Sequence, residues 1–292
     1  MQTYRIGEFE LTRVPDIDAL ATPTERAFPE LDRAALEAHA AALGAGMVDP
    51  ATLSLILSFH SWVVRHRGRV MLIDTCIGDD KERPNRPAWH RRRGGFLERL
   101  AAIGVRPETV DAVLCTHLHA DHLGWNTRRV DGRWVPSFPN ARYLIADVEL
   151  EHAQARYARE GAAMSHGAFA DSVLPILASG QAEIVPWTSR VAAGIQLEPA
   201  PGHTPGTVLV HIEDGAHGVC IGDIIHHPFQ LACPQMPTGY CDDPSAAART
   251  REALCARFAD TATRIFTAHV PAPSAGFIRR AGSGYRFCFD GR

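Results

Sequence analysis

Lysine is nearly absent from this 292-residue chain: of its 30 basic residues only Lys81 is not arginine. Set against 33 acidic residues, the balance is a net charge of −3. No surplus of positive charge is available to neutralise phosphates, so a dedicated nucleic-acid binder is not expected. Long apolar runs are missing too. None approaches the ~18 residues of a membrane span. The start, MQTYRIGEFE, lacks a basic segment followed by an apolar one, so no secretory signal and a cytoplasmic location are expected. The seven cysteines are odd in number and include no C-x-x-C pair, which fits reduced core thiols better than a disulfide framework. Ser54, Ser58 and Ser61 lie in no G-x-S-x-G elbow, and Lys81 in no Walker-type loop. Serine-nucleophile and P-loop chemistry are thereby the weaker schemes.

What remains is an ordinary globular composition, 46% apolar and 22% charged, with length enough for a sizeable core. Residues 4–14 alternate as a strand or hairpin. Residues 31–43 are Ala/Leu-rich at helical spacing and end at Gly44. Strands are expected over 53–64 and 69–73, then a charged surface loop over 77–95 and a helix over 96–103. Short apolar runs at 113–115 and 142–146 read as buried strands, and Asp147 as the cap of a helix reaching about Arg159. The second half predicts a helix over 169–178, strands at 184–185 and 195–197, and a strand pair at 207–212 and 219–221. A capped helix over 243–258, a strand at 264–267 and a hairpin over 276–289 complete it. No repeat or linker divides the chain. One domain, 1–292, is expected, with residues 1–50 as a cap or dimerisation extension.

The chain is rich in one residue. It has 15 histidines, and their placement carries the functional information. Cys115-Thr-His117-Leu-His119-Ala-Asp121-His122-Leu-Gly124 follows directly on an apolar strand. His117 and His119 are two apart and share a side of an extended segment, while Asp121 and His122 come from the turn after it. One loop thus presents two pairs of metal-ligand types. Further candidates end other apolar runs: His203 in Pro201-Gly-His-Thr-Pro-Gly206, Asp223 after Ile221-Gly222, and His269 after Phe266-Thr-Ala. Singly, His269 reads as a core histidine and Asp223 as a turn residue. Jointly, they build a metal site on one rim of a sheet sandwich.

The order HxHxDH at 117–122, GHTPG at 202–206, GD at 222–223 and a late His269 resembles the metallo-β-lactamase fold superfamily, from about Leu53 to the C-terminus. The resemblance implies an α/β fold, a four-layer αββα sandwich of two mixed β-sheets flanked by helices, with the site along one edge. It implies that His117, His119 and His203 hold one metal. Asp121, His122 and His269 hold a second, and Asp223 bridges both. Phe138-Pro-Asn-Ala-Arg142, Gly222-Asp-Ile-Ile-His226 and the 276–287 segment are similar to the methyl parathion hydrolase group, itself close to the quorum-quenching N-acyl homoserine lactonases. The lactonases carry a Tyr three residues after the bridging Asp, where this chain has His226.

The cofactors so implied are two divalent ions, Zn²⁺ first for an all-N/O set and Mn²⁺, Fe²⁺ or Co²⁺ next. Such a pair sits roughly 3.5–4 Å apart and lowers the pKa of a shared water toward about 7. The expected chemistry is attack of that hydroxide on a lactone or small carboxylic ester, with catalytic roles for Asp121, Asp223 and His226. Trp125, His227 and Phe229, with Trp89, are expected at the substrate rim. Alternatives are a phosphotriesterase, a glyoxalase II-like thioesterase and, behind them, an RNA-processing nuclease. The expected partner is a small ester or lactone, with neither nucleic acid nor membrane, and a homodimer is an open expectation.

Overall fold

The structure, a computed structural model, describes residues 1–43 and 46–289. In chain order its strands begin β1 (Thr3–Ile6), β2 (Phe9–Thr22), β3 (Leu55–His66), β4 (Arg69–Ile73) and β5 (Ala112–Leu114). There follow β6 (Thr127–Val130), β7 (Arg133–Pro136), β8 (Arg142–Ala146), β9 (Ala182–Val185), β10 (Arg190–Ala192) and β11 (Ile195–Pro199). The last are β12 (Val208–Glu213), β13 (His217–Cys220), β14 (Arg264–Phe266), β15 (Ala275–Ala281) and β16 (Gly284–Phe289). Helices are α1 (Thr24–Ala27), α2 (Arg33–Leu43), α3 (Phe96–Ala102), α4 (Asp147–Glu160), α5 (Leu174–Ser179), α6 (Phe229–Ala232) and α7 (Pro244–Phe258).

Two seven-stranded sheets face each other. One has the order β1-β2-β3-β4-β5-β8-β9 and the other runs β10 to β16 in sequence. Both are mixed. β4, β5, β8 and β9 are parallel, as are β13 and β14, and the remaining neighbours are antiparallel. Period-two patterning decides the layers. On β12, Val208, Val210 and Ile212 join Trp62, Ile73 and Leu114 of the first sheet in the central core. Leu209 points the other way, into a second core with Leu254 and Phe258 of α7. A third core lies between the outer face of the first sheet and α3 and α4, where Val63 and Leu72 meet Phe96, Leu100 and Leu150. The result is the expected αββα sandwich.

The expected elements recur with local differences. α2 begins at Arg33, and Gly44 lies outside the described residues. Asp147 is the first residue of α4 and Ala146 its cap; the Asp147 carboxylate accepts from the backbone N–H of Val148 and Trp187. The 169–178 helix is broken in type: Phe169–Val173 is a π turn, and α5 follows with Pro175, which has no N–H to donate, in its first turn. α7 is capped as the sequence indicates, the Asp243 side chain accepting from Ala246 N at 2.9 Å with Pro244 in the first position. The β6–β7 hairpin was not anticipated. Of residues 1–50, β1 and β2 are two strands of the first sheet.

The charged 77–95 segment is irregular, as expected, but it is not all surface. Lys81 and Arg83 are fully buried. Arg83 pairs with both oxygens of Asp171, at 2.6 and 3.0 Å. The Lys81 ammonium lies 3.4 Å from Asp171 Oδ1, donates to Thr127 and Ser172, and sits 3.7 Å above the Trp134 ring. Two buried cations thus share one carboxylate. Burial pushes the Lys81 pKa down to about 7 although Asp171 opposes it. The unfolded chain holds that proton to roughly pH 10.4, so the folded state gains stability as pH rises above 7. Lys81→Met should remove that rise in urea unfolding. Asp171→Ala strands both cations and should cost about 3–5 kcal/mol; a loss below 1 kcal/mol would show that the cluster is not what holds the 77–95 segment.

Candidate functional site

The loops at one edge of the sandwich converge on a single point. β5 ends at Leu114 and feeds the segment that carries His117, His119, Asp121 and His122. β11 turns into β12 through the stretch with His203, β13 stops just before Asp223, and β14 just before His269. Two glycines let these loops close. A side-chain carbon on Gly202 would stand 2.2 Å from Ala247 N in the first turn of α7, and one on Gly206 would stand 2.2 Å from Glu149 N. Glu149 then ties the loops together: its buried carboxylate accepts from Leu118 N at 2.7 Å and from the Thr204 hydroxyl at 2.6 Å.

Two groups of ligand types result. His117, His119, His203 and Asp223 form one, and Asp121, His122 and His269 the other; within each, the donor atoms lie within 4.8 Å of one another. In the first, His203 Nε2 is 2.8 Å from His119 Nδ1 and 3.1 Å from His117 Nε2. In the second, His122 Nε2 and His269 Nε2 are 3.2 Å apart, with Asp121 Oδ2 3.6 Å from His269 Nε2. Asp223 stands between them. Its Oδ2 is 3.2 Å from His203 Nε2, and its Oδ1 is 3.0 Å from both His122 Nε2 and His269 Nε2.

The outward partners of these rings fix which nitrogens carry protons. His122 Nδ1 lies 2.8 Å from the Asp74 carboxylate, and His269 Nδ1 lies 3.0 Å from the Ser58 carbonyl. Both partners only accept, so both Nδ1 atoms donate. In a neutral ring each Nε2 is then a bare lone pair aimed inward. The Thr116 hydroxyl is committed to Asp74 at 2.9 Å, so at 3.2 Å it accepts from His117 Nδ1, and His117 Nε2 is bare as well. Lone pairs and carboxylate oxygens facing one another at about 3 Å repel unless a cation lies between them. The residues present therefore fit a bound metal, and a divalent ion is what the all-N/O donor set suits.

Burial agrees with that fit in the first group, while the nearby carboxylates hold a proton on the second. Burial holds His117 and His203 well below the usual imidazole range and brings His119 to about 4, favouring the neutral rings that ligation needs. Burial also opposes a charge on His122 and His269. There the Asp223 carboxylate prevails, helped by Asp74 at His122 and Asp121 at His269, and both pKa values rise. Asp223 is itself buried, yet the surrounding His122, His269, His226 and His203 keep its carboxyl well below the ordinary range.

A cavity of about 620 Å³ opens over this point, with Asp121, His203, Asp223, His226 and His269 on its floor. His226 Nε2 is 3.2 Å from Asp223 Oδ2, yet neither of its ring nitrogens has a hydrogen-bond partner among the described residues. Trp89 lines the wall, as does the segment Leu20 to Arg26. Three expected rim residues are elsewhere. Trp125 is stacked on Phe96 in the core beneath the first sheet. His227 is buried with Nε2 2.9 Å from the Met47 carbonyl, and Phe229 packs with Ala27, Phe28 and Leu36. Nearness in sequence to a ligand did not give side-chain direction: apolar packing took Trp125 and Phe229, and the hydrogen bond to Met47 took His227. Sequence reasoning also passed over Asp74, Glu149, Tyr240 and Cys241. Asp74 alone had a signal, since it ends the apolar strand β4 with a carboxylate, as Asp223 follows β13.

A family model for the Metallo-beta-lactamase superfamily matches residues 59–269. An N-acyl homoserine lactonase of Bacillus cereus is 30% identical over 124 residues, 42% of this chain and 40% of that relative, so the chain covers less than half the relative's length. Among solved structures, the hydrolase AbOPH of the beta-lactamase superfamily superposes with a TM-score of 0.80 at 24% identity, covering 98% of this chain and 95% of its own. AidC, described as a dizinc quorum-quenching lactonase in complex with N-hexanoyl-L-homoserine, gives 0.78 at 21% identity over 100% and 97%. At such identities these likenesses show the fold. With the family match spanning most of its length, the chain belongs to the metallo-beta-lactamase superfamily.

Proposed function

We propose that the chain is a metal-dependent hydrolase that holds two divalent ions, zinc by donor type, and opens a lactone or cleaves a small carboxylic ester. One observation carries this reading: the two oxygens of Asp223 face two different sets of inward imidazole nitrogens on the floor of one cavity. His117, His119 and His203 would hold one ion, Asp121, His122 and His269 the other, and Asp223 both. When bound, such a pair supplies Lewis-acid polarisation of the carbonyl and a water acidified to near neutrality. The relatives' described activity, N-acyl homoserine lactone hydrolysis, supports the substrate class.

The chain's own residues account for the remaining steps. Asp121 is only partly buried and lines the cavity, so its carboxylate can take the proton released as water attacks and return it to the leaving alkoxide. His226 has its Nε2 3.2 Å from Asp223 Oδ2, and neither ring nitrogen is spent in a hydrogen bond among the described residues. Because His226 lines the cavity floor, its ring is the donor we assign to a bound carbonyl oxygen. The walls, including residues 20–26 from the first part of the chain, exclude water from the acyl group.

His119→Ala and Asp223→Ala should each lose bound metal and abolish hydrolysis of acyl homoserine and simple γ/δ-lactones. Full activity in either would remove the mechanism. Turnover of paraoxon-type triesters or thioesters with silence on lactones would keep the metal site and change the substrate class. His226→Phe should lower kcat about 10²-fold with metal content unchanged; loss of metal would make it a ligand instead. Asp74→Asn, which weakens the grip on His122 Nδ1, should reduce metal affinity about 10–100-fold. Unaltered affinity in a chelator competition would show that Asp74 does not support the site.

A further inference from the structure

The cavity over the candidate metal ligands is lined by two arginines that form no ion pair among the described residues. Arg86 and Arg26 both line it. Arg86 Nε donates to His166 Nε2 at 3.3 Å, and its guanidinium lies 5.2 Å from the Trp89 ring centroid and 6.0 Å from that of Tyr240. Arg26 makes one hydrogen bond, a long one of 3.5 Å to the Asn85 carbonyl. Neither has a carboxylate within ion-pair distance among the described residues, where most other arginines of the chain find one. Arg156 lines the same cavity and shows the contrast: Glu160 takes it at 3.1 and 3.2 Å, and Asp242 at 3.4 Å.

Arg86 is half-buried and Arg26 exposed, and two like charges lining one cavity favour a negative group between them. Burial, with Arg26 adding to it, lowers the pKa of Arg86; Tyr240 and Asp121 oppose the shift without reversing it. Arg86 is also oriented. His166 holds its Nε and the Trp89 and Tyr240 rings flank its plane, which leaves the terminal Nη pair to meet a planar oxyanion in two-point fashion. The subsite is close to the reacting point, because the Tyr240 ring centroid is 5.7 Å from that of His226, whose Nε2 is 3.2 Å from Asp223.

We infer that Arg86, seconded by Arg26, forms an anion subsite, and that the substrate is an acidic lactone or ester whose carboxylate meets Arg86 across Tyr240 from His226. This rests on the hydrolase reading and narrows its substrate class. A phosphate on the same side chain would meet the same donors, and the test separates the two. A neutral acyl chain would leave the half-buried Arg86 without a charged partner.

The experiment compares three γ-lactones that differ only at the end of a short side chain: a carboxylate, the matching carboxamide and a phosphomonoester. Wild-type kcat/KM should favour the carboxylate over the amide by about 10–100-fold, the value of a charge-assisted pair. The effect should lie mainly in KM. In Arg86→Gln the carboxylate-to-amide ratio should fall toward one, and Arg26→Gln should lower it in part. Arg156→Gln, whose charge is already neutralised, should leave the ratio where it was. Preference for the phosphomonoester would assign the subsite to phosphate. Equal rates on carboxylate and amide in the wild type, or an unchanged ratio in Arg86→Gln, would overturn the subsite and leave the hydrolase standing. If none of the three lactones turns over, the lactone part of the hydrolase reading fails. Calorimetry on the same intact protein then decides the subsite: carboxylate binding that is lost in Arg86→Gln supports it, and equal affinity for carboxylate and amide overturns it.

Discussion

The carboxylate of Asp223 is the constraint around which the rest of this edge is arranged. It is buried, and each of its oxygens faces a separate set of ring nitrogens at 3.0 to 3.2 Å. A lone buried carboxylate is costly, and so is a nest of bare imidazole lone pairs. Together they are tolerable if cations occupy the spaces between them. The fold supplies rigidity for that arrangement, since His117, Asp223 and His269 all follow closely on strands whose apolar residues are locked into the central core.

Orientation comes from the next layer of polar groups. Asp74 accepts from Thr116 N at 2.7 Å, from the Thr116 hydroxyl and from His122 Nδ1, so one carboxylate sets the rotation of His122 directly and of His117 through Thr116. The Ser58 carbonyl does the same for His269, and Glu149 joins the His117 loop to the His203 loop. Every inward nitrogen except those of His119 and His203 is thereby assigned by an outward acceptor. At His203 the outward neighbour is Cys241 Sγ, 3.5 Å from Nδ1. Such fixed donors need little rearrangement on binding a metal.

Much of this was legible in the chain. The H-x-H-x-D-H run is contiguous, so its grouping needs no tertiary information, and His203, Asp223 and His269 announce themselves as polar residues closing apolar strands. The sandwich was legible because period-two runs such as Val208–Glu213 sort their residues between two cores. What escaped depends on distant pairing or on side-chain direction. Lys81 and Arg83 read as surface charge because their partner Asp171 lies far along the chain. Arg86 and Tyr240 meet across the cavity from segments with no shared motif. Trp125, His227 and Phe229 sit beside ligands in sequence, but the core had room for each and took it.

The bridging place of Asp223 is open to one direct look. Crystals of the protein loaded with zinc, measured at the zinc absorption edge, should show two anomalous peaks per chain, one against each Asp223 oxygen. One should be shared with His117, His119 and His203, and the other with Asp121, His122 and His269. A single peak, or peaks that leave Asp223 in contact with one ion only, would contradict the two-ion arrangement and the hydrolytic chemistry built on it.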